Sequence, residues 1–252
     1  MNLFEIPLLR KYLRKFYYTY SRLEESYLSS VLSPQKEVLG GIFRGLKYPA
    51  YKSSGSSLFC KLLGSYEDEL HPTILELVKR DYKTLIDVGC AEGYYAVGLA
   101  RMLPDLKVYA YDTDSVARKS CSNMAKINGV SERVIVKETC TSNTLVDFSY
   151  EGKTLIVCDC EGYEAELFNE KVAERIVGHD VIIELHENVV PNVKQQMIDC
   201  FSKTHNIAFV GSRLKMICSY PDVKMLPIEY RQDKYLYERG TYMEWAVITS
   251  KS

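Results

Sequence analysis

The chain has 252 residues, 46% hydrophobic and 26% charged, a balance that excludes fibrous and intrinsically disordered classes. Lysine plus arginine number 32 against 33 acidic residues, a net charge of −1 that argues against a chain-wide electrostatic footprint for nucleic acid. No apolar run approaches the roughly 18 residues of a spanning helix, and the first residues show no secretory pattern. The eight cysteines form no CxxC pair, so they read as reduced thiols in a cytosolic setting rather than a zinc or disulfide framework.

In chain order, Leu9, Leu13, Phe16, Tyr17, Tyr20, Leu23 and Tyr27 recur at helical spacing, with Arg10, Lys11, Arg14 and Lys15 on the other faces. Ser33-Pro34 ends this helix. Residues 1–31 carry +2, leaving −3 for the rest. Such a helix packs on its own domain, on a second subunit of a homodimer, or on an anionic membrane surface, peripherally at its inner face. Residues 1–39 therefore read as an amphipathic extension. Residues 40–70, rich in glycine and serine, read as an irregular connecting segment near the ligand site. The catalytic domain is expected over 71–252. There a helix at 73–80 leads to strand 84–88, helix 94–103, strand 106–111, helix 115–127, strand 133–137 and strand 154–159. Helix 162–176, strand 180–185, helix 190–203, strand 206–210 and strand 244–249 follow. Short apolar strands alternating with helices imply a parallel sheet covered on both faces. The last two strands lack a helix between them, so an antiparallel edge is expected. The fold class is a Rossmann-like α/β sheet, with its ligand site at the strand carboxyl ends.

Those ends carry the chemistry. The first reads Asp87-Val88-Gly89-Cys90-Ala91-Glu92-Gly93-Tyr94. A dinucleotide fold would show G-x-G-x-x-G, whose amides face a pyrophosphate. Here the spacing is G-x-x-x-G, and Asp87 and Glu92 would repel phosphate but suit a cationic amino-acid moiety. The charge therefore favours a sulfonium cofactor, S-adenosylmethionine, over NAD. Asp112, at the next strand end, is placed to accept hydrogen bonds from ribose hydroxyls, with Asp114 the better helix cap. Asp159 and Glu161 follow the fourth strand in Cys158-Asp159-Cys160-Glu161-Gly162-Tyr163-Glu164, and Glu184 and His186 end the fifth. Adjacent strands would bring these groups together. His186 could then remove a proton from an acceptor hydroxyl, hold a divalent metal with the carboxylates, or hydrogen-bond structurally. Cys158 reads as core, and Cys90 and Cys160 as small packing groups beside the ligand. A tyrosine-rich insertion at 217–242 either lines an acceptor pocket, as a carbohydrate would suit, or closes a core or dimer contact.

The segments LIDVGCAEGYYA (85–96), VYAYDTD (108–114), LIVCDCEGYEAELF (155–168) and VIIELHE (181–187) resemble class I S-adenosylmethionine-dependent methyltransferases, specifically the FkbM-like family. LLGSYEDEL (62–70) resembles the tyrosine-glutamate segment before the first strand of that family. The resemblance spans residues 40–250 and implies a seven-stranded sheet with an antiparallel last strand. It implies a cofactor cradled by Asp87, Gly89, Cys90, Glu92, Gly93, Tyr94, Asp112 and Asp159. Glu67, Asp159, Glu161 and His186 would line the reacting centre. It also implies O-methylation of a sugar, glycan or related natural product, as in polysaccharide biosynthesis. This chain has Glu92 where the family usually has asparagine, and Cys160 where it has a hydrophobic residue. The N/D-P-P-Y/F segment of enzymes that methylate base amino groups is absent, so no nucleic-acid acceptor is expected. A catalytically inactive scaffold and an NAD-dependent oxidoreductase are the competing classes.

Overall fold

The computed structural model describes residues 7–236, 238 and 242–251, with side chains from residue 19 onward. Seven strands form one sheet: β1 (Thr84–Val88), β2 (Lys107–Tyr111), β3 (Val134–Lys137), β4 (Thr154–Cys158), β5 (Asp180–Leu185), β6 (His205–Gly211) and β7 (Glu244–Ser250). Their order is β3-β2-β1-β4-β5-β7-β6. β7 runs antiparallel to both β5 and β6, and the other pairings are parallel. This is the sheet expected from the sequence, including its antiparallel edge.

The period of two along β1 sends Leu85 to one core and Ile86 and Val88 to the other, on opposite faces of the sheet. Helices α2 (Leu58–Leu63), α3 (His71–Leu77), α4 (Tyr94–Met102) and α5 (Ser115–Ile127) cover the first face. Helices α6 (Ser142–Asp147), α7 (Glu164–Leu167), α8 (Glu170–Arg175) and α9 (Val193–Phe201) cover the second. α5 starts where Asp114 accepts a hydrogen bond from the Val116 amide at 2.9 Å, so Asp114 is the cap and Asp112 is left for the cleft. The single helix expected over 162–176 is broken into α7 and α8. Phe168 turns into the core, and Asn169 restarts the helix by capping the Val172 amide at 3.1 Å. α2 lies within the segment expected to be irregular.

The amino-terminal helix, α1 (Pro7–Leu32), is joined to the domain through its last turns. Leu28 and Leu32 enter the first core. Glu25 accepts from Ser57 Oγ at 2.8 Å and from the Phe59 amide at 3.3 Å, which ties α1 to the start of α2. Tyr20 and Leu23 remain 57% and 65% exposed, so that stripe is not part of the domain core. Leu9, Leu13, Phe16 and Tyr17 lie outside the described side chains. No described helix is long and apolar enough to cross a membrane.

The 217–242 insertion folds as short 3-10 turns that bury Ile217, Val223, Leu226 and Leu236 in the first core. Three of its described tyrosines meet residues from the first 70 of the chain. Tyr220 donates to Asp68 at 2.6 Å, Tyr235 donates to Glu24 at 2.8 Å, and Tyr230 packs edge-on against Tyr27. Of the described residues of the insertion it is Glu238, not a tyrosine, that lines the cleft.

Candidate active site

A cleft of about 840 Å³ opens at the carboxyl ends of β1, β2, β4 and β5, where crossover connections leave the sheet. Asp87, Gly89, Cys90, Tyr94, Asp112, Asp159, Glu161 and His186 all line it. These eight are brought together at one cleft. Glu67, Glu92 and Gly93 are placed elsewhere.

Gly89 has φ +81°, and a Cβ there would lie 1.7 Å from the Asp159 carbonyl oxygen. The turn after β1 thus passes directly over the end of β4, which only glycine permits. Asp87 is 3% exposed, its Oδ2 is buried without a hydrogen-bond partner among the described residues, and it lines the cleft. Burial pushes its carboxyl up to about 7, with the charges of Asp159 and Asp112 adding to the shift. A buried carboxylate in this position calls for a cationic donor, such as an amino group. Asp112 is held by the Ala91 amide at 2.9 Å and the Asp114 amide at 2.8 Å. These contacts fix its carboxylate at the rim, where two adjacent hydroxyls of a ribose fit its remaining acceptor positions.

Glu92 serves a different purpose from the one its position in the turn suggests. It is 3% exposed and forms a 2.6 Å ion pair with the equally buried Lys61. Ser53 Oγ donates to it at 2.7 Å, the Ser54 amide at 3.0 Å and Tyr48 OH at 3.3 Å. Burial alone would raise its pKa, but Lys61 outweighs burial and holds it below the usual carboxylate range. Glu92 thereby anchors the 53–56 loop, which forms one wall of the cleft. Gly93 gives room for helix packing, since a Cβ there would sit 2.9 Å from Cys121 Sγ. Glu67 is fully buried and hydrogen-bonded by Tyr95, itself a lining residue. Burial first, and then the charge of Asp159, push its carboxyl up to about 8. It stands behind Tyr95 in the wall, close enough to Asp159 to feel its charge.

The register Cys158↔Ile183 continues to place Asp159 beside Glu184 at the edge of the sheet. His186 is two residues beyond, 4% exposed, with Nδ1 3.1 Å from Glu164 Oε1. Its Nε2 lies 3.6 Å from both Asp159 Oδ1 and Glu161 Oε2. The sequence-based convergence of Asp159, Glu161, Glu184 and His186 is therefore realised. Burial opposes protonation of His186, but the hydrogen bond and charge of Glu164, joined by Asp159 and Glu161, raise its pKa. Burial raises that of Asp159 to about 6. Cys158 is core, whereas Cys90 and Cys160 line the cleft.

Sequence reasoning missed Lys61, Tyr66, Tyr95, Glu138 and Glu238 in the wall. Lys61 also sits 4.7 Å from the Tyr66 ring and 5.2 Å from the Tyr94 ring. Eight carboxylate residues line the cleft (Asp87, Asp112, Asp114, Glu138, Asp159, Glu161, Glu184 and Glu238) against the one lysine. That field repels phosphate.

Residues 70–160 match the family model for "Ribosomal protein L11 methyltransferase (PrmA)". A ribosomal protein L11 methyltransferase of Herpetosiphon aurantiacus is 36% identical over 75 residues, covering 27% of this chain and 23% of that protein. Its counterpart in Oceanobacillus iheyensis is 28% identical over 139 residues, 53% of this chain and 42% of that protein. The chain thus spans less than half the length of these curated relatives. Among solved structures, precorrin-6y C5,15-methyltransferase from Geobacter metallireducens superposes with a TM-score of 0.51 at 14% identity, covering 74% of this chain and 88% of that one. A human methyltransferase 10 domain containing protein gives 0.51 at 14% identity, covering 88% and 96%. The fold is therefore the class I methyltransferase fold. The matching family model is PrmA, not the FkbM-like family suggested by the motifs. It ends at residue 160, before Glu161, Glu184 and His186.

Proposed function

We propose that the chain is an S-adenosylmethionine-dependent methyltransferase whose acceptor is a hydroxyl group, on a sugar, glycan or related polyol. The observation that carries the cofactor half is the buried, unpartnered Oδ2 of Asp87 beside the rigidly held Asp112, at the carboxyl ends of β1 and β2. A dinucleotide would bring a pyrophosphate to a turn that offers it a carboxylate and no G-x-G-x-x-G. Bound here, the cofactor supplies an electrophilic methyl on sulfur. Asp87 holds the cationic amino group and Asp112 the ribose. Gly89 lets the turn lie against β4.

The chain's own contribution to the reaction is alignment and removal of a proton. An in-line displacement needs chiefly proximity and an acceptor oxygen freed of its proton. Asp159, Glu184 and His186 are the groups gathered where that oxygen would sit. A cofactor held there would give up its methyl to that oxygen, its sulfur keeping the electron pair of the S–C bond. The acidic cleft supports a neutral or cationic acceptor over the phosphate backbone of a nucleic acid. The relatives named above are ribosomal protein methyltransferases, which favours a second reading, a protein side chain as acceptor. Against it, the family match stops before Glu161, His186 and the insertion.

Mass spectrometry of glycans from cells with the active protein and with His186→Ala tests the acceptor. The expected result is a product one methyl group heavier that disappears in the variant, while S-adenosylhomocysteine still binds the purified variant. Methylation found on protein and not on glycan would replace the first reading with the second.

A further inference from the structure

The end of β4 and the end of β5 bring one ligand atom each from Asp159, Glu184 and His186 within 4.8 Å of one another. The imidazole is fixed from behind. Glu164 is fully buried and accepts from the His186 amide at 2.9 Å and the Gly162 amide at 2.9 Å, with the ring Nδ1 3.1 Å away. A carboxylate on Nδ1 holds the ring proton there and turns the lone pair of Nε2 into the cleft. At 3.6 Å from Asp159 Oδ1 and Glu161 Oε2, Nε2 is beyond hydrogen-bond reach of either. Asp159 Oδ1 is itself buried without a hydrogen-bond partner among the described residues. Lone pairs thus face one another across a small gap. Two ligands each about 2.1 Å from a common ion, at an angle of about 120°, are separated by about that same distance.

We propose that Asp159, Glu184 and His186 form a binding site for one divalent cation, with Glu164 as the carboxylate that orients the histidine. Two hard oxygen donors and one imidazole suit Mn2+ best among common divalent ions, with Mg2+ and Zn2+ as competitors. The carboxylate–histidine–cation arrangement is the usual way a protein fixes such a ring. Glu161, its side chain 83% exposed, stands at the mouth. The remaining coordination positions face the cleft, where an acceptor hydroxyl would bind and become more acidic, its proton passing to solvent. This role rests on the methyl-transfer reading of the cleft, whereas the binding site itself does not.

The test is calorimetric titration of the chelator-stripped full chain with Mn2+, repeated with Mg2+ and Zn2+, beside a parallel titration with S-adenosylhomocysteine. The expected result is one equivalent of cation, with affinity at least about tenfold weaker in Asp159→Asn and in Glu184→Gln. Glu164→Gln should weaken it about 10- to 100-fold, the usual effect of losing an orienting partner. Cooperative thermal melts of Asp159→Asn and Glu184→Gln near the parent's Tm report that the variants are folded. No binding of any of the three cations overturns the site, as does equal binding by the parent and by Asp159→Asn. In that case His186 is left to accept the proton directly. Cation binding without S-adenosylhomocysteine binding would keep the site and defeat the methyltransferase reading.

Discussion

Glu92→Ala separates an anchoring role for this residue from a ligand role. In the folded chain Glu92 and Lys61 are each about 97% buried and 2.6 Å apart, and Ser53, Ser54 and Tyr48 supply the remaining donors. Removing the carboxylate leaves a buried lysine cation without its partner, a change that costs about 3–5 kcal/mol. The Tyr66 and Tyr94 rings lie beside Lys61 in the parent as well, so their attraction cancels in the difference. The loss corresponds to a fall in Tm of about 6–20 °C for a chain of this size. The double variant Glu92→Leu/Lys61→Met removes both charges and should regain most of that loss, because an apolar pair of similar volume replaces a buried ion pair at little cost. Thermal melts of the parent, Glu92→Leu, Lys61→Met and the double variant close the cycle. The reasoning is refuted if Glu92→Ala melts with the parent but loses affinity for S-adenosylhomocysteine, the pattern of a cofactor ligand.

Gly89→Ala should abolish S-adenosylhomocysteine binding, since its Cβ meets the Asp159 carbonyl. Gly129→Ala, at φ +70° with open space around it, should cost only the about 1–2 kcal/mol of left-handed strain, read as a small Tm shift with binding intact. Burial would raise the Asp180 pKa, but Tyr82, the Ser250 amide and Lys153 outweigh burial and lower it. Its stabilisation is therefore complete above the unfolded value of about 3.9 and lost as pH falls through the lower folded value, so Asp180→Asn should flatten the acid limb of a Tm-against-pH curve. For the exposed Tyr20–Leu23 stripe of α1 and its basic flanks we expect co-sedimentation with anionic vesicles, lost in Leu23→Glu at unchanged Tm. Unchanged sedimentation in that variant would leave the stripe to a second subunit. Deleting residues 1–31 is a poorer probe, because it removes Leu28 from the core.

The sheet was legible in the sequence because its signals are local. Apolar runs such as Thr84–Val88 and Asp180–Leu185 are buried along their whole length. Asp114 and Asn128 mark the ends of α5, which was located to the residue. α6 was not seen, since Ser142-Asn143-Thr144 are weak helix formers and the helix starts on a capping box between Thr141 and Thr144. α2 was hidden by the glycine and serine residues around it, although Ser57 caps it. In the site, residues at strand ends could be placed because topology alone puts them at one edge. The Glu92–Lys61 pair was not legible because the two are 31 residues apart, and no local pattern joins a turn residue to a distant lysine. The burial of Glu67 behind Tyr95 is likewise a property of packing. The tyrosines of the insertion left a pocket and a core or dimer contact equally open, and the hydroxyls of Tyr220 and Tyr235 are spent on Asp68 and Glu24.

Calorimetric titration of the full chain with S-adenosylhomocysteine, and in parallel with NAD, tests the central claim most directly. The account predicts binding of S-adenosylhomocysteine at one site, lost in Asp87→Ala and in Asp112→Ala at retained fold, and no binding of NAD. Binding of NAD, or S-adenosylhomocysteine affinity unchanged in both variants, would contradict it.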